Sequence, residues 1–599
     1  MDLLPDNAAL QTYYRERLAS LALERSLAIA RRLRYRVFLL LCFALFLFLG
    51  LRTSGQTSWF ALVPLAAALA SLPAYLGLQS EFIRIQRLEV FHNTNIARAD
   101  GTRTQSGHTG DEFHSPSHLY DRDLNVLGPD SLFGLLATVR TGIGQRGLAR
   151  LLLDPAEPQQ ILERQRAVQE LAPLAPLREQ IALLGPSRFQ DVSATAFDKW
   201  LEEPSPYFHR AISWILVIIS ATVLTLLFAG LFRFAAWSTI LPILALAFVL
   251  QGIVFLIVRA RVLPILSASR VASQMQLFTD GVALLDQQPF TSPRLQHLRQ
   301  AFSEPVSALR ALRSIQNQFD IIEQLTREYS VVLSILFSIG THAAIAIANW
   351  RRTYASSLKQ WITAWAEFEA LCALANYAFE HPEDTYPTLL PQQQPGQLHA
   401  TALGHPLIPA QTCVRNDVDL DADNRFYLIS GSNMAGKSTL LRAIGLNAVL
   451  AFAGAPVRAK SLSLTPLCIG ASLALTDSLA ESKSKFLAEV QRLHDILILS
   501  QSSSTLFLID ELFSGTNSHD RAIAAHAVLR DLLRNHAIGA LSTHDLALTA
   551  LASPQTHGVN VHMASPNPDD PLAFDFLLKP GVNPSSNALA IIRMMNIEA

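Results

Sequence analysis

The sequence predicts a multi-domain chain: helical membrane hairpins, a helical core, and an α/β domain closing the chain. Three observations carry this. Half of the 599 residues are hydrophobic and only 16% are charged. The apolar excess is concentrated in a few uncharged runs long enough for a bilayer. In the last third, short apolar runs end in glycine-rich or acidic loops and precede helical patterns, as in a parallel sheet with crossover helices.

Residues 1–36 read as an N-terminal cytoplasmic helix carrying Arg31, Arg32, Arg34 and Arg36. The runs 37–51 and 59–78 form a first membrane hairpin, bounded as 37–80. The runs 211–232 and 234–258, broken only by Arg233, form a second, 211–258. About 20 apolar residues span a bilayer core. The run 37–51 is shorter and needs Arg36 and Arg52 to snorkel. Arginines flank the hairpins on one side, with Arg84, Arg87, Arg259, Arg261 and Arg270 beyond the spans and only Arg52 and Arg233 at the tips. The positive-inside rule then sets both termini in the cytoplasm of an inner or plasma membrane, in a multi-pass topology. The 36 residues before the first apolar run carry charged residues throughout, from Asp2 to Arg36, so no cleavable signal peptide is expected.

Segments 81–210 and 259–386 read as two parts of a helical core. Positions 161–171 and 177–184 are amphipathic by spacing, and 361–379 reads as a long helix. Residues 387–396 are rich in Pro and Gln and read as a linker leading into the last domain, 387–599. Cys42, Cys372, Cys413 and Cys468 are scattered, which fits a reducing compartment and argues against a zinc site or a disulfide scaffold. His108, His114 and His118, with Asp111 and Glu112, lie in a Gly/Ser/Pro-rich stretch without ligand spacing and read as a loop. The net charge of −1 gives no global attraction to nucleic acid.

The densest information is Gly431-Ser432-Asn433-Met434-Ala435-Gly436-Lys437-Ser438-Thr439, between an apolar run at 426–429 and a helical pattern from Leu440. It fits G-x-x-x-x-G-K-[ST], a loop whose backbone N–H groups face phosphate oxygens at a helix N-terminus. Lys437 can reach the β- and γ-phosphates of ATP, and Ser438 can place its hydroxyl on Mg²⁺. The run 506–509 ends in Asp510 and Glu511. Asp510 is expected to order Mg²⁺, and Glu511 to polarise the attacking water. A third run, 538–542, ends in Thr543 and His544, where a polar group can contact the γ-phosphate. Residues 330–348 are apolar too. One more crossing would put this domain on the side away from ATP, so they read as a buried soluble helix.

These motifs, with Leu440-Leu441-Arg442 through Asn447, closely resemble the ATPase domain of the MutS family of DNA mismatch-repair proteins. Asn433-Met434 within the loop is characteristic of that family. The likeness continues through Leu403-Gly404-His405-Pro406-Leu407, Asn416-Asp417, Ala453-Gly454-Ala455-Pro456-Val457, Ser484-Lys485-Phe486, and Lys579-Pro580-Gly581-Val582. The resemblance implies membrane helical hairpins joined to a MutS-like α-helical core domain and a C-terminal α/β P-loop ATPase domain of the ABC type. It implies a homodimer with composite sites, in which Ser484 faces the partner's γ-phosphate in trans; the family usually has Thr where this chain has Lys485. Residues 123–155 and 369–378 resemble the family's helical core. The chain shows no N-terminal mismatch-recognition domain.

Two functions compete on this reading. One is a membrane-anchored MutS-like ATPase that binds mismatched or branched DNA. The other is an ATP-driven membrane conformational switch acting on a protein or lipid partner without DNA.

Overall fold

A computed structural model describes residues 7–52, 62–99, 108–139, 141–185, 200, 206–266, 269–304, 306–325, 337–432, 434–473, 485–513, 518–566 and 573–583. The chain divides into two compact units. The first comprises Met1–Thr138, Leu148–Leu183 and Ala370–Ala599; the second comprises Val139–Gly147 and Leu184–Glu369.

In the first unit, α1 (Asn7–Arg52) runs unbroken for 46 residues, about 69 Å at the helical rise per residue. No break occurs at residue 36; the run 37–51 continues the same helix. α2 (Leu62–Ala99) returns antiparallel to it. Leu21 and Ala28 pack on Ile85 and Leu88. Arg25 pairs with Glu89 at 3.3 Å, and Arg36 Nε donates to the Tyr75 hydroxyl at 3.2 Å. Among the described residues, shorter helices follow: α3 (Leu132–Leu136), α4 (Gly142–Leu153), which belongs to the first unit only from Leu148, α5 (Pro158–Leu171) and α6 (Ala175–Leu183). Arg17 of α1 makes a bidentate pair with Glu179 of α6 at 2.8 and 3.0 Å, fastening the far end of the hairpin.

The second unit contains α7 (Arg210–Leu231) and α8 (Trp237–Leu266), which close a hairpin through Val223, Ile240, Leu244 and Ala247. It continues with α9 (Ser269–Asp286), α10 (Pro293–Ala301), α11 (Ala308–Leu325) and α12 (Ile339–Glu380). Trp365 is fully buried in it. Gly281 admits the indole so closely that a Cβ there would lie 2.2 Å from the ring. Arg294 pairs with Glu367, and Glu369 accepts from Thr141 N at 2.8 Å. Of the apolar stretch 330–348, positions 330–336 lie outside the described residues; Ala343, Ala344, Ile345, Ile347 and Ala348 are buried. The last turns of α12, from Ala370, belong to the first unit.

Among the described residues, three helices are long and apolar enough to cross a membrane: α2 over Leu62–Arg98, α7 over Ala211–Leu231 and α8 over Trp237–Val258. Only 6, 17 and 22% of their apolar windows are buried. Core helices of a soluble protein would bury such faces, so the apolar surface faces outward. The 37–51 run of α1 carries the same outward apolar side chains, including Leu41 and Phe43, but is not among the three.

The C-terminal part of the first unit holds two sheets. The strands are β1 (Thr388–Leu389), β2 (Leu398–Leu403), β3 (Asn416–Leu420), β4 (Phe426–Gly431), β5 (Ser461–Leu464), β6 (Cys468–Ser472), β7 (Thr505–Asp510), β8 (Ile538–Thr543), β9 (Gly558–Met563) and β10 (Lys579–Pro580). The first sheet has the order β1-β5-β2-β3 and the second β10-β9-β4-β8-β7-β6. In the second, all pairings are parallel except β10 with β9. β1 falls inside the Pro/Gln-rich stretch read as a linker, and pairs with β5. The helices α13 (Lys437–Ala453), α14 (Lys485–Ser502) and α15 (Ser518–Arg534) pack on the six-stranded sheet. β4 is buried at every position, as a central parallel strand should be. Phe426, Leu428, Phe507, Ile509 and Leu541 form its core with Leu529 and Leu532.

Candidate nucleotide site

The strands β4, β7 and β8 are adjacent and parallel, so their C-terminal ends open on one edge of the sheet. Ligands bind at that edge in open α/β folds. Here the chain brings together Lys437, Ser438, Asp510, Glu511 and His544.

The loop after β4 requires its glycines. At Gly431 (φ 155°) a Cβ would lie 2.4 Å from Met563 O, and Gly436 (φ 99°) adopts the left-handed conformation as the N-cap of α13. Met434 stands 78% exposed at the loop's crest. Lys437 folds back under the loop, its Nζ donating to Gly431 O at 2.8 Å and Ser432 O at 3.0 Å. Burial lowers its pKa, while Glu511 and Asp510 oppose the shift. Asn433 lies outside the described residues.

Ser438 Oγ donates to one carboxylate oxygen of Asp510 and Ser542 Oγ to the other. Glu511 follows with φ 53°, a left-handed conformation that costs a non-glycine residue about 1–3 kcal/mol and clusters at functional sites. Its Oε1 lies 3.3 Å from His544 Nδ1, with both side chains partly exposed. A carboxylate beside an imidazole at a strand end can hold and pass a proton. Ser484 lies outside the described residues; Lys485 opens α14, and Glu489 on that helix accepts from Phe513 N.

Beside the first turn of α13 is a cavity of about 290 Å³ that the sequence reading did not find. Gly436, Thr439, His405, Asn416, Met563 and Phe576 are among its lining residues. Asn416 donates from Nδ2 to Phe576 O at 3.1 Å and accepts from Leu578 N at 2.7 Å, which holds the Phe576 segment against the loop. No local pattern around Phe576 signals this; only its contact with β3 does. His405 Nδ1 accepts from Leu407 N at 3.2 Å, which leaves the ring proton on Nε2.

Burial, with Arg442 and Arg458 nearby, lowers the pKa of His405 to about 4. A free histidine titrates near 6.5. Between those values the folded domain binds fewer protons than the unfolded chain, so this group's effect is absent above pH 6.5 and destabilises progressively as the pH falls toward 4. Replacing His405 by asparagine should therefore flatten the acid limb of a melting-temperature profile recorded from pH 7 to 4. An unchanged limb would remove His405 as its source.

The histidine-rich stretch serves the fold. His114 Nδ1 bonds Asp121 at 2.7 Å, and His118 Nδ1 accepts from Asp121 N at 3.2 Å. His399, Asp419 and Asp421 also bring ligand atoms together. His399 and Asp419 bond each other, while Asp421 accepts from the Asp423 and Asn424 amides, so we assign no ion there.

Residues 427–599 match the family MutS domain V. The chain is also similar to an endonuclease MutS2 of Thermus thermophilus, 39% identical over 192 residues. That alignment covers 32% of this chain and 25% of the relative, so the chain spans about a quarter of the length of the curated protein it matches.

Proposed function

We propose, from the match of residues 427–599 to MutS domain V and from three helices among the described residues that are apolar enough to cross a membrane, that the chain is a membrane-anchored ATPase of the MutS family. The convergence of the 431–439 loop with Asp510, Glu511 and His544 carries this reading. The loop fits a polyphosphate: its glycines keep side chains out of the cradle, and Lys437 supplies a buried cation already bonded to loop carbonyls. The 290 Å³ cavity beside it suits a nucleobase, with the Phe576 ring and the neutral His405 imidazole among its lining groups.

Ser438 and Asp510 are the residues that would hold Mg²⁺. Their directly bonded oxygens are the hard ligands that ion prefers. Bound there, the ion would neutralise phosphate charge. Lys437 binds and orients the terminal phosphates. Glu511 accepts a proton from the attacking water, and His544 holds its carboxylate in place at 3.3 Å. Glu511→Gln should bind ATP normally and hydrolyse it about 10²–10⁴-fold more slowly. Near-normal turnover in that variant would overturn the base assignment.

The N- and C-termini and the ATPase domain are proposed to be cytoplasmic, by the arginine placement and by the location of ATP, which takes the shorter 37–51 run of α1 as a fourth crossing beside the three. The active unit is proposed to be a homodimer, with Ser484 acting in trans. Met434, Phe486, Leu487, Ile523 and Leu546 are exposed on segments that leave the C-terminal edge of the sheet, an apolar surface suited to a second copy.

A switch that moves the membrane helices is the second reading. It is favoured by α2, which reaches without a break from its apolar stretch to a buried pair with Glu380. Steady-state ATPase activity in nanodiscs decides between the two, measured with and without homoduplex, mismatched and branched DNA and with Lys437→Ala as blank. Stimulation by one DNA structure that weakens with salt supports a DNA clamp. Hydrolysis indifferent to every DNA supports the switch, and no hydrolysis above the blank sinks the ATPase reading itself.

A further inference from the structure

Residues 118–127 lie far upstream of the phosphate loop and outside the MutS domain V match, yet they are built into its sheet. Ala471 N donates to Leu119 O at 2.8 Å, so this segment covers the edge of β6, the outermost strand. The turn bonds Leu124 N to Tyr120 O (3.0 Å) and Val126 N to Asp121 O (2.9 Å) hold its shape. Leu124 fills the space left by Gly445 on α13, where a Cβ would lie 2.5 Å from Leu124 Cδ1.

Asp123 is the centre of this contact and is 2% exposed. Its main-chain oxygen accepts from Arg442 Nε at 3.1 Å, one helical turn beyond Ser438. Its Oδ1 accepts from Leu473 N at 2.7 Å. Ser472 pairs in register with Ile509, so Leu473 stands level with Asp510. Its Oδ2 lies 3.6 Å from Arg492 Nη2 on α14, and Arg492 Nη1 donates to His118 O at 2.5 Å.

We propose that Asp123 is a positioning residue of the ATPase site. It ties the first turns of α13, which carry Lys437 and Ser438, to the end of β6, beside the end of β7 that carries Asp510 and Glu511. The proposal rests on the ATPase reading above and deepens it. The contacts that retain ATP belong to the loop and the cavity, whereas the bonds described for Asp123 go to Arg442, Leu473 and Arg492. What it sets is the placement of the phosphate-binding helix relative to the acids. Turnover is sensitive to that placement, since a 1 Å error can cost about a hundredfold.

The test uses the full chain in nanodiscs and reads ATP affinity, KM, turnover per bound nucleotide and melting temperature. Asp123→Asn keeps an oxygen for Leu473 N but removes the charge facing Arg492; Asp123→Ala removes both. Turnover per bound nucleotide should fall about tenfold in the first and about a hundredfold in the second, with affinity and KM within about twofold of wild type. Arg492→Gln should resemble Asp123→Asn, and the double variant should be no slower than the slower single. If Asp123→Ala does not fold, the asparagine and Arg492 variants carry the test.

A purely structural Asp123 would lower melting temperature and the fraction able to bind, while each bound nucleotide turned over at the wild-type rate. That result overturns the proposal, as does a parallel loss of affinity and turnover. Wild-type turnover in every variant sinks the positioning role and leaves the ATPase reading standing. A wild-type chain that hydrolyses no ATP sinks both.

Discussion

Lys437→Ala is expected to weaken ATP binding about a hundredfold and to remove measurable turnover. The magnitude follows from the charge-assisted bonds lost, each about 1.5–3 kcal/mol, at about tenfold in affinity for every 1.4 kcal/mol. The position makes the loss large. The ammonium is buried under the loop, and the two carbonyls that hold it, Gly431 O and Ser432 O, would lose their donor at the same time. The loop would then lose both its cation and its internal tie. Equilibrium binding of a fluorescent ATP analogue measures this directly. Wild-type affinity in the variant would remove Lys437 from the site, whatever the activity.

The second large effect concerns the membrane helix. Arg98 at the end of α2 meets Glu380 at the end of α12 through two bonds, 3.1 and 2.5 Å, and its Nη2 also donates to Asn95 Oδ1 at 2.8 Å. Both charged side chains are nearly inaccessible, at 2 and 3% exposure. Removing one partner leaves the other buried and unpaired, so Arg98→Ala or Glu380→Ala should destabilise the first unit by about 3–5 kcal/mol. The double replacement Arg98→Met with Glu380→Leu should recover most of the loss, because the desolvation cost disappears with the charges. Denaturant or thermal unfolding in nanodiscs reads the difference. Single variants within about 1 kcal/mol of wild type, the level of an exposed pair, would show that the pair is not buried in solution. The joint is not isolated: Arg458 pairs with Asp384 at 3.4 Å, Tyr377 donates to Asp384 at 2.7 Å, and Asn447 of α13 accepts from Arg458 N at 2.7 Å. The two sets of buried contacts meet on the last turn of α12, where Tyr377 takes part in one and Glu380 in the other.

What could be read in advance follows a physical division. β4, β7 and β8 and the helix after the phosphate loop were legible because each is a contiguous run whose apolar period and end residues are local. The order of those strands was not, because pairing depends on which crossover packs where. The first hairpin was legible as two apolar runs, but α1 extends far beyond its run, and nothing at residue 36 breaks a helix. The stretch 387–396 was read as a linker because Pro and Gln weaken strand propensity, yet Thr388 and Leu389 find a partner in β5. The histidines at 108–118 resembled ligands only by composition; their bonds to Asp121 and the backbone became visible once the loop was folded.

The sequence alone determined the phosphate-loop motif, the acids after β7, the likeness to the MutS family and the apolar runs suited to a membrane. Each is encoded in neighbouring residues, where backbone geometry and composition suffice. Only the tertiary structure decided that Phe576 and His405 line one cavity beside Gly436, that Asp123 reaches Arg442 across 319 positions, and that Arg98 meets Glu380 across 282. Those contacts depend on how separate helices and strands pack together, and no local period carries that information.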